Sequence, residues 1–427
     1  MKLNIKRTIF VGLAFLTIMM LWQVYNWYVP IFLNDFLSNL FKGDKLLIGI
    51  IMALDNLFAL FMIPLMSYFS DKTKTRLGRR TPYIIVGILI SATIFIFMPH
   101  INDIGNIWLL LATILLLLIS MNVYRSPCVA LMPDITPRPL RSKANSIINI
   151  CGGVGIAIGY LSIIFFSKDN HVPFYIVGAV MVIALIVFLL TVHENKFVAD
   201  YKAQLQEQGL SEEEDKKEDV EKGGSLKTNL KNVILILAVV FFVYMANNSV
   251  ETFISLYSEY VFDNAQNMPL NMNPGALVIV PFGIASFAMA VPAALIADKI
   301  GRKWTVLIGT ILMGIAYLCI ALFSMTYGFT YVLLAFFFIA GCGFSFITIN
   351  IYPMVIENCS SDNVGKYTGH YYTASMLAQS ITPAFCGLFM SGWIFNSMKV
   401  LFPYAFICMV AALITLFFIK EKKESII

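Results

Sequence analysis

Three ionisable side chains stand deep inside long apolar stretches of this 427-residue sequence: Asp55, Arg125 and Glu251. Charge in such surroundings is costly and marks a functional position by default. Desolvation favours the neutral form of a carboxyl group, which suits a proton acceptor working near neutral pH. Asp55 and Glu251 are therefore the candidates for proton coupling. Arg125 is a candidate substrate or gating contact, with a hydrogen-bonding link to a neighbouring helix as the alternative. Around these charges lie aromatic and amide groups. Trp22, Gln23, Tyr25, Asn26, Trp27 and Tyr28 fall in one stretch, and Tyr244, Asn248 and Glu251 recur at helical spacing, so that they share a face. Asn149, Asn350, Tyr352, Tyr371, Tyr372 and Gln379 complete the set. Aromatic faces beside neutral hydrogen-bonding groups suit a saccharide, which has apolar C–H faces and many hydroxyls. Trp27 and Tyr28 suit an interfacial aromatic belt equally well.

What must position these groups is a set of helices in lipid. Apolar runs of about 20 residues suffice to cross a bilayer. Twelve occur, at about 8–33, 46–70, 82–99, 106–130, 143–166, 172–192, 230–260, 274–297, 304–325, 328–357, 365–391 and 400–419. The first is too long, and too aromatic at its far end (WQVYNWYVP), for a cleaved signal peptide. Barrel strands would be shorter and alternate in polarity. Composition agrees: 59% of residues are hydrophobic and only 13% charged, against about 25% charged in a soluble domain. By helical rise, Asp55 lies roughly 14 Å below the outer end of its span, Arg125 roughly 28 Å from outside and Glu251 roughly 30 Å from inside. The two acids can share a level, while Arg125 is expected nearer the cytoplasm.

The seven cysteines lie mostly in apolar runs, and the four histidines are scattered. Neither pattern predicts a disulfide scaffold, a resident metal or a cofactor. One set of alternate loops and termini holds 25 Lys and Arg, and the opposite set holds 4. The positive-inside rule then places both termini in the cytoplasm of a multi-pass protein of the cell (cytoplasmic) membrane. The net charge of +5 is thus a topology signal and gives no reason to expect a nucleic-acid partner.

The chain also repeats itself. Gly78-Arg79-Arg80 matches Gly301-Arg302-Lys303, Asp134 matches Glu357, and Lys143 matches Lys366, all at an offset of 223. One offset shared by separate landmarks implies a duplicated six-helix unit, with bundles at 1–192 and 230–427 and a charged cytoplasmic loop at 193–229. Parallel repeats with a site between them are a plan of many secondary transporters. One chain holds both halves, so a functional monomer is expected. Asp71, Gly78, Arg79, Arg80, Asp134 and Arg141, with Asp298, Gly301, Arg302, Glu357 and Lys366, form a candidate cytoplasmic gate whose ion pairs would bias a two-state equilibrium. Tyr28 is the offset counterpart of Glu251, and the two stretches are expected to face each other. The small-residue run CGGVGIAIG in the fifth span lacks the Lys-Ser/Thr of a phosphate loop. It is expected to pack on the eighth or tenth span. The 193–229 loop reads as a solvated tether, disordered or loosely helical.

With these residues in view, the chain resembles the major facilitator superfamily. DKIGRK, with Asp298 three residues before Gly301, resembles its loop signature. The first copy, SDKTKTRLGRRTPYI, sets Gly78 seven residues after Asp71 and is similar to the glycoside–pentoside–hexuronide:cation symporters and the related sucrose-transporter branch. RSPCVALMPDITPRPLRSKANSI resembles the helix 4–5 region of that branch, notably in ALxxD and KANSI. The sequence departs from these relatives at the coupling positions. Ala59 and Ile63 stand before Pro64 where the melibiose-carrier branch has two acids, and Leu118 stands near the place of the acid in plant-type sucrose carriers.

The expectation is an all-α membrane protein with twelve transmembrane helices in two pseudo-symmetric six-helix bundles. Its expected function is symport of a di- or oligosaccharide or glycoside with H+, by alternating access. Na+ coupling remains open, as does a facilitator or exporter of amphipathic, drug-like or lipid-like compounds. An enzyme is not indicated, since no nucleophile–base arrangement or sizeable soluble domain is visible.

Overall fold

The computed structural model describes residues 3–38, 42–166, 169–206, 229–262, 272–360 and 363–419. Among them the chain is almost wholly helical. The helices are α1 (Ile5–Leu37), α2 (Asp44–Lys72), α3 (Thr81–Asp103), α4 (Ile107–Ile135), α5 (Arg138–Phe166), α6 (His171–Thr191) and α7 (Glu194–Gln206). They continue as α8 (Leu230–Val261), α9 (Pro274–Ala288), α10 (Ala290–Ile300), α11 (Arg302–Tyr327), α12 (Val332–Glu357), α13 (Val364–Met390) and α14 (Leu401–Phe417).

Local chemistry accounts for the boundaries. Asn106 and Asn273 use their side-chain oxygens to cap α4 and α9, each accepting from two backbone N–H groups. Gly301 ends α10 at φ +89°, and Gly328 ends α11 at φ +67°, conformations that glycine adopts without steric cost.

Among the described residues ten helices are long and apolar enough to cross a membrane, and the pair α9–α10, bent by 50°, makes an eleventh span if taken as one. The sequence reading takes that stretch as one continuous span. The break falls at Met289, between Pro281 and Pro292, where missing N–H donors weaken the helix. The 27-residue α13 has the length of a span but carries Lys366, His370 and Gln379 among hydroxyl residues, which dilute its apolar character. Large side chains such as Phe61, Leu190, Val291 and Ile407 are exposed, as lipid-facing positions require.

The chain divides into two compact units. The first comprises Met1–Phe36, Asp55–Asp219 and Leu270–Met272; the second comprises Leu37–Leu54, Val220–Pro269 and Asn273–Ile427. In the first unit an aromatic core joins α1, α3 and α6: Phe174 lies 5.8 Å from Phe32, 4.6 Å from Phe95 and 5.2 Å from Tyr28 between ring centroids. In the second the corresponding helices α8, α11 and α14 meet at Phe402, with Tyr257 at 4.9 Å and Tyr317 at 5.9 Å. The same three positions in each six-helix set supply the core, as a duplication requires. Tyr28 is thereby placed in the aromatic interior of the first unit.

Two further expectations change. The small residues of α5 pack on α1 within the first unit: Gly155 lies against the Leu16 carbonyl, and Gly159 against Gln23 and Met20. The run therefore serves packing inside one bundle, because α1 offers a backbone that only a residue without Cβ can approach so closely. The first third of the 193–229 loop is an ordered helix, α7. Arg7 anchors it to α1, pairing with Asp200 at 2.6 Å and lying 3.9 Å from the Phe197 ring centre. Its apolar side chains Phe197, Tyr201 and Leu205 are buried, so part of the tether belongs to the fold. Residues 207–228 of that loop lie outside the described residues.

Candidate functional site

The 71–81 hairpin is held by a dense charge network. Gly78, at φ +119°, turns the chain into α3, so that the backbone N–H groups of Arg79, Arg80 and Thr81 point outward from the helix start. All three donate to the Glu194 carboxylate at 2.8–3.0 Å, and the Thr81 hydroxyl adds a fourth bond at 2.8 Å. Glu194 is only 1% exposed. An anion at a helix N-terminus satisfies orphan donors and complements the helix dipole, which explains why this carboxylate is stable when buried. The Arg80 guanidinium, also buried, meets Asp134 at 2.9 Å, Asp71 and the Ser70 hydroxyl. Arg79 reaches Asp134 at 2.6 Å. Arg141 donates instead to the carbonyls of Thr136 and Pro133, at 3.1 and 3.2 Å.

The second hairpin is sparser. Arg302 pairs with Glu357 at 2.5 Å, both partly exposed. Asp298 is exposed and makes no ion pair among the described residues, and Lys366 lies 5.8 Å from the Tyr367 ring centre. Asn358 ties this end of α12 to α8, accepting from the Asn229 backbone at 2.9 Å and from the Asn232 side chain at 3.0 Å. Beside it, burial pushes the Cys359 thiol up to about 11.

In the first unit the intramembrane polar groups gather around α1. Trp22 meets Tyr25 edge to face at 5.3 Å, and Arg125 from α4 lies 6.0 Å from the Trp22 ring centre. Tyr25 is fully buried, and Asp55 from α2 is close enough to act on it electrostatically. Trp22 and Tyr25, in contact with each other, thus have Arg125 beside one and Asp55 near the other. The Trp22 indole N–H and the Tyr25 hydroxyl are buried with no hydrogen-bond partner among the described residues. Gln23 donates to the Met19 carbonyl at 3.2 Å, and Asn26 is half-buried. Asn149 is exposed on α5. Asn122, one turn before Arg125, is fully buried with its side-chain oxygen unpartnered, a position the sequence reading does not single out.

In the second unit four tyrosines cluster. Tyr244 of α8 lies beside Tyr371 of α13. Tyr371 lies 5.2 Å from Tyr352 and 5.4 Å from Tyr372 between ring centres. Tyr352 and Thr368 share a hydroxyl hydrogen bond at 3.1 Å. Asn248 is buried with its amide oxygen unpartnered among the described residues, one turn from Glu251, which is exposed. Asn350 is fully buried and donates to the carbonyls of Ala293 and Phe346, so its amide nitrogen holds α10 to α12. Gln379 donates to the Ser375 carbonyl at 3.1 Å. Phenol hydroxyls, amides and ring faces of this kind can hold a neutral polar solute.

The histidines, scattered in the sequence, are partly assembled by the fold. His100 and Asp103 from the end of α3 and His171 from the start of α6 bring one ligating atom each to within 4.8 Å of one another. The sequence reading expects no such cluster, because 67 residues separate the two helix ends and only the antiparallel packing of α3 on α6 joins them. Asp169 beside them has its carboxyl held below the usual range, first by the His171 backbone N–H.

Solved transporters of similar architecture frame these observations. The xylose transporter XylE from E. coli superposes with a TM-score of 0.68 at 16% identity, covering 99% of each chain. The nucleoside transporter NupG gives 0.65 at 16%, covering 98% of this chain and 100% of its own. A POT peptide transporter in complex with sulfate gives 0.68 at 12%, covering 97% and 93%. At these identities the likeness is one of fold. The sequence profile of the Major Facilitator Superfamily matches residues 11–282 and 274–426, nearly the whole length. Duplicated helical units, paired charged hairpins and that match together establish that the chain belongs to the major facilitator superfamily.

Proposed function

We propose that the chain is a secondary active transporter that imports a di- or oligosaccharide or glycoside together with H+, by alternating access. It would act as a monomer in the cytoplasmic membrane with both termini inside. The observation that carries this reading is the group around α1: a membrane-embedded carboxylate, Asp55, acts on Tyr25, and the Tyr25 hydroxyl and the Trp22 indole N–H are buried with no hydrogen-bond partner among the described residues. Buried polar groups are normally satisfied, and exceptions call for an explanation; sugar hydroxyls would supply the missing bonds, with the Trp22 face against the ring. Arg125, Asn248, Tyr244 and Tyr372 are the further contacts we assign to substrate. Asp55 is the first choice for the coupling site, and Glu251, exposed on α8, the second. The charged hairpins would act as cytoplasmic latches.

Reconstituted vesicles test the reading directly. Labelled saccharides should accumulate when a proton gradient is imposed, and an uncoupler should abolish accumulation. Asp55→Asn should convert concentrative uptake into downhill exchange. Accumulation that survives both Asp55→Asn and Glu251→Gln removes the coupling assignment, and accumulation driven by Na+ alone replaces the ion. The aromatic character of the tyrosine cluster favours one rival, an exporter of amphipathic compounds. Efflux of a lipophilic dye without any saccharide uptake would establish that rival instead.

A further inference from the structure

The end of α3 and the start of α6 carry a group of side chains that the transport reading does not use. His100 and Asp103, three residues apart, share one face of the last turn of α3. The His171 ring stands between two carboxylates, with Nε2 2.8 Å from Asp103 and Nδ1 3.1 Å from Asp169. The Asp169 carboxylate also accepts the His171 backbone N–H at 2.9 Å, which fixes it in place. His100 lies with its ring centre 4.8 Å from that of His171, and its Nε2 is 2.6 Å from the Tyr175 hydroxyl. Between two carboxylates the ring can carry a proton on each nitrogen and donate to both, or hold a metal cation at Nε2 in place of that proton, leaving Nδ1–H with Asp169.

We propose that His100, Asp103 and His171 form a binding site for a divalent transition-metal ion, with Zn2+ as the best fit. Imidazole nitrogen and carboxylate oxygen suit this class of ion, whereas Mg2+ and Ca2+ prefer all-oxygen sets. At metal–ligand distances of about 2.0–2.2 Å, tetrahedral ligand atoms sit roughly 3.4 Å apart. The three atoms already lie within 4.8 Å, so closure needs only small rotations of side chains at the protein surface. Three protein ligands leave a fourth position for water. Asp169 supplies the outer-shell carboxylate that orients a metal-bound histidine and sets its tautomer, and Tyr175 does the same for His100. Binding would release the Nε2 proton and staple the end of α3 to the start of α6, about 33 Å along α3 from the hairpin at Thr81. The site belongs to the first unit alone and stands whether or not the substrate is a saccharide.

The test uses full-length, tag-free protein in detergent, stripped with chelator and with accessible thiols alkylated. ZnCl2 is titrated in competition with a chromogenic zinc indicator, and thermal unfolding is followed in parallel. One equivalent should bind at micromolar or tighter affinity and raise the unfolding temperature, and Mg2+ should do neither. His171→Gln and His100→Gln should each weaken binding at least about tenfold, and Asp169→Asn, which touches only an orienting group, within the roughly 10- to 100-fold range of outer-shell changes. Absence of a saturable equivalent, or an equivalent unchanged in His171→Gln, overturns the proposal.

Discussion

The two hairpins related by the 223-residue offset share Gly, Arg and a facing acid, yet they are held very differently. In the first, Arg80 is 5% exposed at its side chain and Asp134 is 16% exposed. Asp71, Ser70 and the capping carboxylate of Glu194 complete the network. In the second, the equivalent pair is Arg302 with Glu357, at 33% and 53% exposure. Desolvated, multiply bonded charges cannot be removed singly without leaving an uncompensated partner, whereas an exposed pair loses little. The first hairpin is therefore built as a fixed joint, and the second can open at low cost.

Substitutions can break or sharpen this contrast. Arg80→Ala should have the largest effect, about 3 kcal/mol, by removing the buried cation of the network; Arg79 still reaches Asp134, and Asp71 is half exposed. Denaturation in mixed micelles would read this, and a cost near that of Arg302→Ala would erase the distinction. Glu194→Gln should follow at roughly 1–3 kcal/mol, because a neutral amide replaces a charge-assisted acceptor shared by three backbone donors. Hydrogen exchange at residues 79–81 should accelerate in that variant and remain unchanged at residues 301–305. Gly78→Ala combines backbone strain, about 1–3 kcal/mol, with a clash, since the new Cβ would lie 2.2 Å from the Glu194 carboxylate. Gly301, at φ +89°, carries the same backbone strain on substitution by alanine, so Gly301→Ala is the reference for the strain alone. A double-mutant cycle on Arg302 and Glu357 should give the smallest value, under about 1 kcal/mol, fading in high salt.

Some of these features are readable in the linear chain. Asp71, Arg79, Arg80 and Asp134 are charged residues bordering apolar runs, and the 223-residue offset exposes their pairing. Arg302 and Glu357 follow by the same offset. Glu194 is not readable in this way, although it sits immediately beyond the sixth span. Its neighbours in sequence are polar, and nothing local distinguishes a capping acid from a solvated one. Asp298 matches its motif as well as Asp71 does, yet it makes no ion pair among the described residues. The group at Trp22, Tyr25, Asp55 and Arg125 is legible as a set of costly polar residues in apolar helices. That Arg125 lies near Trp22 depends on how α4 packs beside α1, which residue counting does not give. Tyr28 shows the converse: adjacent to that set in sequence, it turns into the aromatic core with Phe174.

By itself the sequence determined a duplicated all-helical membrane protein, because the length of apolar runs and the placement of basic residues are one-dimensional consequences of a bilayer about 30 Å thick. Only the tertiary structure decided which helix receives the glycines of α5, which carboxylate seats the first hairpin, and that His100 and His171 are neighbours. Those outcomes depend on contacts between residues far apart in the chain, where packing and desolvation set the energies and spacing carries no record of them.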